Sequence, residues 1–270
     1  MITVKVISDG AFWYDGGMAF ANVPRLIWQQ TTYPDRSNRV RLGLNCLLIK
    51  HPSGNFLIDT GMGTTDKDIN SEVFEHHTSH LNKQLNRAGL SRMDIDAVLI
   101  THWDRAHAGG LVRLDHEGET QLTFPNASIY APADAKTGGS PALPAMSLTP
   151  HPRLAKELRS YMGNEDWELA PHVSVQSILG GCHATATVRV NTGSERYYYL
   201  SDLVPTPEHR RPTWLSAGDQ HADETMKAKE HALAWIVGSG AIAVFSHAAD
   251  NPAGYIIQKG IRYEFRPRPV

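Results

Sequence analysis

The chain has 270 residues, 41% hydrophobic and 20% charged, which excludes a disordered chain and suits one large α/β domain or two smaller ones. Its formal net charge of -2 argues against a general attraction to nucleic acid or to an acidic membrane surface. The two cysteines could form one disulfide, but they do not make a disulfide framework. A reducing cytoplasm is therefore the simpler expectation. The first residues read as a strand rather than a signal peptide, and no apolar run of about 18 residues predicts a membrane span.

The first predicted elements enclose a segment rich in glycine, proline and aromatic side chains. Residues 2–7 alternate as a strand, and residues 42–50 and 55–58 form a hairpin around a tight turn. The intervening residues 10–40 carry an apolar group that forms either a flap or pocket wall, or ordinary core. This group comprises Phe20, Val23, Pro24, Ile27 and Trp28.

The second strand of the hairpin ends at Asp59, which enters a glycine-bearing loop. A carboxylate in this position either orients a neighbouring metal-binding histidine or caps the turn. The histidine-rich residues 76–80 then precede an amphipathic helix over 81–88, with Gly89 as its C-cap. We interpret these histidines as a solvated entry to the helix rather than as a metal site.

The densest group of candidate ligands follows the apolar run over residues 97–100, which is predicted to be a buried strand. The next ten residues read THWDRAHAGG and carry His102, Asp104 and His107. Imidazole and carboxylate groups at this spacing suit a metal ion such as Zn, Fe or Mn. The alternative is a polar turn whose histidines contact only water, which suits a single histidine better than a cluster at a strand end.

The second half of the chain is predicted to be mostly strands. Residues 131–150 form an irregular loop or lid. Helices are predicted over 152–162 and over 224–237. Asp223 and Gly238 are the expected caps of the second helix. The predicted strands of this half cover residues 124–130, 173–179, 187–190, 196–200, 241–245 and 261–265.

Several predicted strands share one property, a metal-capable side chain at or just after the strand end. Taken singly, Asp202 or His247 is better explained as a turn cap or a hydrogen-bonded loop residue. Their recurrence favours ligands, because strand ends at one edge of a sheet can converge on one site. The five positions are Asp59, His102, His183, Asp202 and His247. No repeat or linker divides the sequence, so we expect one domain over residues 1–270.

These motifs resemble those of the metallo-β-lactamase-fold superfamily, and within it the lactonase-like and esterase-like hydrolases. The resemblance covers most of the chain. It implies an α/β fold, an αββα sandwich of two mixed sheets flanked by helices, with the metal site along one edge. It rests on LIDTG at 57–61, on VLITH through HAGG at 98–110, on GGCH at 180–183, on LSDL at 200–203 and on FSH at 245–247.

The metal motif departs from the family pattern H-x-H-x-D-H at two positions. Residues 102–107 read HWDRAH, so Asp104 replaces the second histidine and Ala106 replaces the aspartate. An acidic residue in the first of these places also resembles the diiron branch of the superfamily, and a carboxylate shifts metal preference from Zn toward Fe or Mn. We expect one or two divalent ions, with Zn favoured over Fe and Mn.

The resemblance also implies which residues bind these ions. The family pattern G-H-x-P-G-H has lost residues here, so Thr185 is the alternative to His183. Cys182 is a soft donor that we interpret as a small buried hydrophobic residue. The implied ligands are His102, Asp104 and His183 for one metal, His107 and His247 for a second, and Asp202 between them.

The activity implied is hydrolysis of a small lactone or ester, in which metal-bound hydroxide attacks the carbonyl group. Asp104 and Asp202 are the expected catalytic carboxylates. Arg105 is expected to pair with Asp104 or to bind a substrate carboxylate, or else to be exposed. The candidate walls of the substrate pocket are Phe20, Trp28 and Trp103.

Two other functions remain open at this point. One is an iron-dependent redox or oxygenase-like enzyme on the same fold, and the other is a binding-only relative with a degenerate metal site. The expected partner is a small-molecule substrate, with neither nucleic acid nor membrane, and a homodimer stays open.

Overall fold

The computed structural model describes residues 1–64, 74–76, 78–132, 158–161, 166–178, 185–219 and 221–270. The chain forms two compact units, each made of two stretches of sequence. The first unit comprises Met1–Phe12 and Leu44–Met162, and the second comprises Trp13–Gly43 and Gly163–Val270. That residues 1–270 form one domain stays a prediction.

Strands outnumber helices among the described residues, and most helices are short. The strands are β1 (Thr3–Asp15), β2 (Arg39–His51), β3 (Gly54–Ile58), β4 (Ala97–Leu99), β5 (Val112–Leu114), β6 (Thr120–Leu122), β7 (Ser128–Pro132), β8 (Leu158–Tyr161), β9 (Asp166–Ala170), β10 (Val173–Ile178), β11 (Thr185–Asn191), β12 (Arg196–Tyr199), β13 (Ile242–Val244), β14 (Ala253–Lys259) and β15 (Arg262–Pro267). The helices are α1 (Gly16–Ala19), α2 (Arg25–Trp28), α3 (Leu81–Arg87), α4 (Arg105–Ala108) and α5 (Ala222–Ser239). None of these helices has the length and apolar character needed to cross a bilayer.

A six-stranded mixed sheet with the order β1-β2-β3-β4-β7-β8 organises the first unit. The pair β2 and β3 is antiparallel, whereas β4 runs parallel to both β3 and β7. All three residues of β4 are buried, as expected for a central parallel strand covered on both faces. Leu81 and Leu85 of α3 join the core of this unit. This strand order brings the loops after β3 and β4, which carry Asp59 and His102, side by side.

A seven-stranded sheet with the order β15-β14-β13-β12-β11-β10-β9 organises the second unit. Its strands pair in antiparallel fashion except for β12 and β13, which are parallel. Leu233 and Ile236 of α5 pack into a core with Tyr198 and Phe245. Because β12 and β13 are parallel neighbours, the turns that follow them lie at the same edge of the sheet.

The predicted helix over residues 152–162 is wrong where the structure describes it. Leu158–Tyr161 form the strand β8, which pairs in parallel with β7. The exposed edge of β7 offers hydrogen bonds that a local sequence pattern does not reveal, and this tertiary pairing overrides the local preference. Residues 151–157 and 162 lie outside the described residues, as do 133–150 of the predicted loop.

The caps predicted for the long helix are also wrong. Helix α5 begins at Ala222, so Asp223 lies in its first turn rather than at the N-cap. Gly238 remains helical, and the helix ends at Gly240, whose φ of +66° is the left-handed conformation typical of a C-cap. The helix predicted over residues 81–88 is confirmed as α3, but its C-cap is Ala88 rather than Gly89, which follows the cap with a φ of +74°.

Candidate metal centre

The loop after β4 brings two buried histidines together in the first unit. The ring centroids of His102 and His107 lie 4.0 Å apart, and their ligand-capable nitrogens lie within 4.8 Å of each other. His107 belongs to α4, which begins directly after the loop. Two buried imidazoles at this separation can bind the same divalent ion.

Asp59 fixes the orientation of His107. Its Oδ2 accepts a hydrogen bond of 2.8 Å from Nδ1 of His107, and its Oδ1 accepts one of 2.8 Å from the backbone N–H of Thr101. Because a carboxylate only accepts, Nδ1 of His107 carries the proton and Nε2 keeps the lone pair that a metal requires. The arrangement is the one expected when a buried carboxylate supports a metal-binding histidine.

The two glycines that end the histidine motif allow two loops to approach each other closely. A Cβ added to Gly109 would lie 2.2 Å from the carbonyl oxygen of Met62, and one added to Gly110 would lie 2.2 Å from that of Thr60. Thr60 in turn donates from its backbone N–H and its hydroxyl to the carbonyl oxygen of His107. The glycines therefore permit the contacts that hold His107 in place.

Asp9 supports the same region, and sequence analysis did not single it out. It is fully buried, and its Oδ2 accepts hydrogen bonds of 3.0 Å from the backbone N–H groups of Met62 and Gly63. Its Oδ1 accepts from the N–H groups of His80 and Leu81, at the start of α3. One carboxylate thus ties the loop after β3 to a helix. The signal that was available is an acidic residue after an alternating strand and before Gly10.

His76 corrects the prediction of a solvated helix entry. It is only 4% exposed, with Nε2 at 3.6 Å from Oδ2 of Asp9 and Nδ1 at 3.3 Å from the carbonyl oxygen of Ala11. The buried charge of Asp9 explains why this imidazole lies inside. His80 is exposed, as predicted, and His77 lies outside the described residues.

The variant positions of the motif lie at the start of α4. Asp104 is its N-cap, and Oδ1 accepts a hydrogen bond of 2.8 Å from the backbone N–H of Ala106, a use that competes with metal binding. Arg105 is 4% exposed, so the interpretation of an exposed arginine is wrong. Trp103 packs against the core of the first unit, and its indole N–H donates to the carbonyl oxygen of Pro132.

The second unit brings Asp202 and His247 together. Nδ1 of His247 lies 2.8 Å from the carbonyl oxygen of Gly43, and Nε2 lies 3.2 Å from Oδ1 of Asp202. A carbonyl oxygen only accepts, so Nδ1 carries the proton and Nε2 of the neutral ring is an acceptor that faces another acceptor. A proton on Nε2 or a shared cation resolves this contact. Ser246 donates to the same oxygen of Asp202, at 3.2 Å. Nε2 of His247 and Oδ1 of Asp202 are therefore a pair of ligand atoms that fits a divalent metal ion.

A stack of aromatic rings is buried in the second unit. The ring of Phe20 stacks on Trp28 at 5.2 Å and on His209 at 4.8 Å, and it meets Trp214 edge-on. Burial lowers the pKa of His209 to about 3, so its ring is neutral at physiological pH. The core interpretation is correct for Phe20, Val23 and Trp28, whereas Ile27 is 45% exposed.

Phe20 also lines a cavity of about 420 Å³, which has His247 in its wall. The cavity belongs to the second unit. Thr206 and Arg41 are among its other lining residues. A candidate metal ligand and a predicted substrate-pocket residue thus face the same space.

Lys229 is the least expected residue of the second unit. It is fully buried within the apolar face of α5, and its ammonium group donates to the carbonyl oxygen of Trp214. Burial lowers the pKa of Lys229 to about 8, although the charges of Asp219 and Asp202 oppose this shift. Its position, four residues after Thr225 and four before Leu233, was the available signal.

Known proteins share this arrangement of strands and loops. The profile of the metallo-beta-lactamase superfamily matches residues 40–247. The chain belongs to the metallo-β-lactamase superfamily. The family and the fold class predicted from the sequence are both confirmed. The matched range includes the histidine motif, Asp202 and His247.

Three solved structures align with the whole chain at low sequence identity. A probable metal-dependent hydrolase from Staphylococcus aureus aligns with a TM-score of 0.80 and 22% identity, covering 100% of this chain and 98% of the other. The dizinc quorum-quenching lactonase AidC, in complex with a product, aligns with a TM-score of 0.74 and 23% identity, covering 100% and 95%. The hydrolase AbOPH aligns with a TM-score of 0.76 and 17% identity, again covering 100% and 95%. No curated protein sequence matches the chain.

The remaining predicted ligand of this metallo-β-lactamase-fold protein, His183, lies outside the described residues together with Cys182. Its alternative, Thr185, is the first residue of β11 and is buried. Its hydroxyl group lies 3.4 Å from that of Ser201. Cys46, the other cysteine, is a free buried thiol.

Proposed function

We propose that this protein is a metal-dependent hydrolase of a small lactone or ester. Membership in the metallo-β-lactamase superfamily supports a metal-dependent hydrolase, and the likeness to AidC supports a lactone as one substrate to test. The observation that carries the proposal is the tautomer of His107 and His247. In both rings Nδ1 donates to an oxygen that only accepts, so Nε2 is the nitrogen that would bind a metal, and in His247 it lies 3.2 Å from Oδ1 of Asp202.

The proposed metal content is one or two divalent ions, with Zn favoured over Fe and Mn. The proposed ligands are His102 and His107 in the first unit, and Asp202 and His247 in the second. Asp104 and His183 remain further candidates, although the N-capping role of Asp104 competes with metal binding. When bound, such an ion polarises a carbonyl group and makes water a nucleophile at neutral pH.

The residues of the chain orient these groups. Asp59 holds the ring of His107, and the carbonyl oxygen of Gly43 holds the ring of His247. Ser246 fixes one oxygen of Asp202, so that the carboxylate has a defined direction in which to accept a proton. We propose Asp202 as the proton acceptor, because Ala106 cannot take the role of the motif aspartate that it replaces.

The cavity that Phe20 and His247 line supports a small substrate. Its volume of about 420 Å³ lies within the range of small-molecule sites, and the buried Phe20 is among the apolar residues of its wall. Trp28 contributes by backing Phe20 rather than by lining this cavity. Trp103 and Arg105 remain candidate substrate contacts.

The test combines metal analysis with an activity panel. Protein purified without added metal is analysed by mass spectrometry for Zn, Fe and Mn, and is assayed on a series of lactones and aryl esters. We expect bound metal together with hydrolysis, and the loss of both in His247→Ala. His116→Ala is the matched control, because the side chain of His116 is 89% exposed. Bound iron with oxygen consumption and no hydrolysis would favour the redox alternative. A protein that binds no metal even when metal is added would refute both the hydrolase and the redox enzyme.

A further inference from the structure

A separate cavity in the first unit has the character of an anion-binding site. Its volume is about 410 Å³, and its wall includes residues of α3 and the β5–β6 hairpin. The polar residues that line it include Ser79, Asn82, Arg92, Arg113 and Thr123. None of the described residues that line it is a proposed metal ligand.

The charged side chains among the described residues that line this cavity are all positive. Among the described residues that line it, Arg92 and Arg113 are the only charged ones, and none is a carboxylate. Neither guanidinium group forms a hydrogen bond with any residue that the structure describes. The pKa of Asp115 is lowered mainly by the hydrogen bond from the backbone N–H of Glu119, and the charge of Arg113 adds a smaller lowering without a hydrogen bond between the two side chains.

Two polar atoms at the cavity wall lack partners. Nε of Arg113 and Oγ1 of Thr123 are buried and form no hydrogen bond within the described part of the chain. Buried donors of this kind usually have a partner in the protein, in water or in a ligand. A guanidinium group donates in a planar fork, which matches the geometry of a carboxylate or phosphate group.

We propose that this cavity binds an oxyanion, namely the carboxylate or phosphate group of a small metabolite, through Arg92 and Arg113. Nothing in the assigned family or in the proposed hydrolysis requires such a site. Its wall also contains Gly63 and Gly110, and Gly110 donates to the carbonyl oxygen of Gly61 in the loop contact that supports His107. An anion bound here lies against the scaffold of the histidine loop.

The test uses the full chain stripped of metal with a chelator, so that its outcome is independent of hydrolysis. Inorganic phosphate and succinate are titrated separately by calorimetry at constant ionic strength, with chloride as the reference. We expect binding at millimolar concentration or tighter, weakened about tenfold or more by Arg113→Gln and by Arg92→Gln. The response to phosphate against that to succinate identifies which oxyanion the site prefers.

A matched control distinguishes binding at this site from a general attraction of anions to surface arginines. Arg87 is exposed on α3 and does not line the cavity, so Arg87→Gln should leave binding unchanged. Circular dichroism of each variant establishes that it is folded. The proposal is overturned if neither anion binds, if chloride competes equally, or if binding survives in both cavity variants.

Discussion

At the scale of single residues, Asp59 shows how one side chain serves both the backbone and the candidate chemistry. Its φ of +60° is the left-handed conformation that aspartate and asparagine tolerate better than most residues. Its carboxylate also accepts from His107 and from the backbone and hydroxyl of Thr101. An asparagine can keep the backbone conformation while changing the hydrogen bonds, which separates the two roles.

We therefore expect Asp59→Asn to fold normally and to weaken metal binding by about 10- to 100-fold. The amide no longer provides the charged acceptor that keeps the proton on Nδ1 of His107. Competition with a coloured chelator measures the affinity. Asp35→Asn is the control. Asp35 accepts a hydrogen bond from Arg39 in the second unit and contacts no candidate metal ligand among the described residues. An unchanged affinity would mean that Asp59 does not orient a metal ligand.

Lys229 gives a prediction about pH. Its pKa is lowered from 10.5 to about 8 in the folded protein, so between these values the unfolded chain binds more protons than the folded one. The free energy of unfolding contributed by this group therefore rises with pH, by up to about 3 kcal/mol across the full interval. Relative to Lys229→Met, the wild type should gain stability between about pH 8 and pH 10.

Urea unfolding of both proteins at a series of pH values measures this difference. Lys227→Met is the control on the same helix, because Lys227 is exposed. Its stability should follow that of the wild type at every pH. Parallel curves for the wild type and Lys229→Met would show that the buried ammonium group titrates in the same range in both states.

At the scale of elements, glycines at different positions have opposite roles. Gly110 makes room for the carbonyl oxygen of Thr60, whereas a Cβ on Gly238, inside α5, would meet nothing within 4 Å. We expect Gly110→Ala to destabilise the fold by about 1 to 3 kcal/mol through crowding. Gly238→Ala should stabilise it by about 0.5 to 1 kcal/mol, because alanine costs less entropy in a helix.

Thermal and urea unfolding of the two variants measures both effects against the wild type. Because the same chemical change is made in each, any general effect of an added methyl group cancels. A neutral Gly110→Ala would show that the loops after β3 and β4 can separate without loss of stability.

Elements with a clear local pattern could be predicted from the sequence, and those set by distant partners could not. The helix α3 was predictable because Leu81 and Leu85 lie four residues apart and Gly89 follows its C-cap, Ala88. The strand Leu158–Tyr161 was not, because its identity depends on pairing with β7. Likewise, β1 continues to Asp15, well past the predicted end at residue 7, because it pairs with β2, a strand distant in sequence.

The candidate site was predictable to the extent that its residues end strands. His102, Asp202 and His247 follow apolar runs that are visible in the sequence. Asp9 and Lys229 were missed, because each is buried by contacts with segments distant in sequence. The capping of α4 by Asp104 depends on a helix of four residues, which is too short for a periodic pattern.

At the scale of the whole molecule, metal binding should contribute to stability. A ligand that binds only the folded state raises the free energy of unfolding in proportion to the logarithm of its concentration over its Kd. We expect a chelator to lower the Tm and added Zn to restore it. In His247→Ala both effects should be much smaller, and differential scanning calorimetry makes the comparison. A Tm that is insensitive to chelator in the wild type would argue against a resident metal.

Cys46 gives the first unit an internal probe of its own opening. The thiol is 1% exposed, and burial together with the charges of Asp59 and Asp9 raises its pKa well above the usual value. A protonated, enclosed thiol does not react with an alkylating reagent, since the thiolate is the nucleophile. In a Cys182→Ser background, the rate of alkylation therefore counts the events in which β2 becomes exposed, and no added label is needed. The reactivity of Cys46 thus reports how often β2, the neighbour of β3, opens in the native protein.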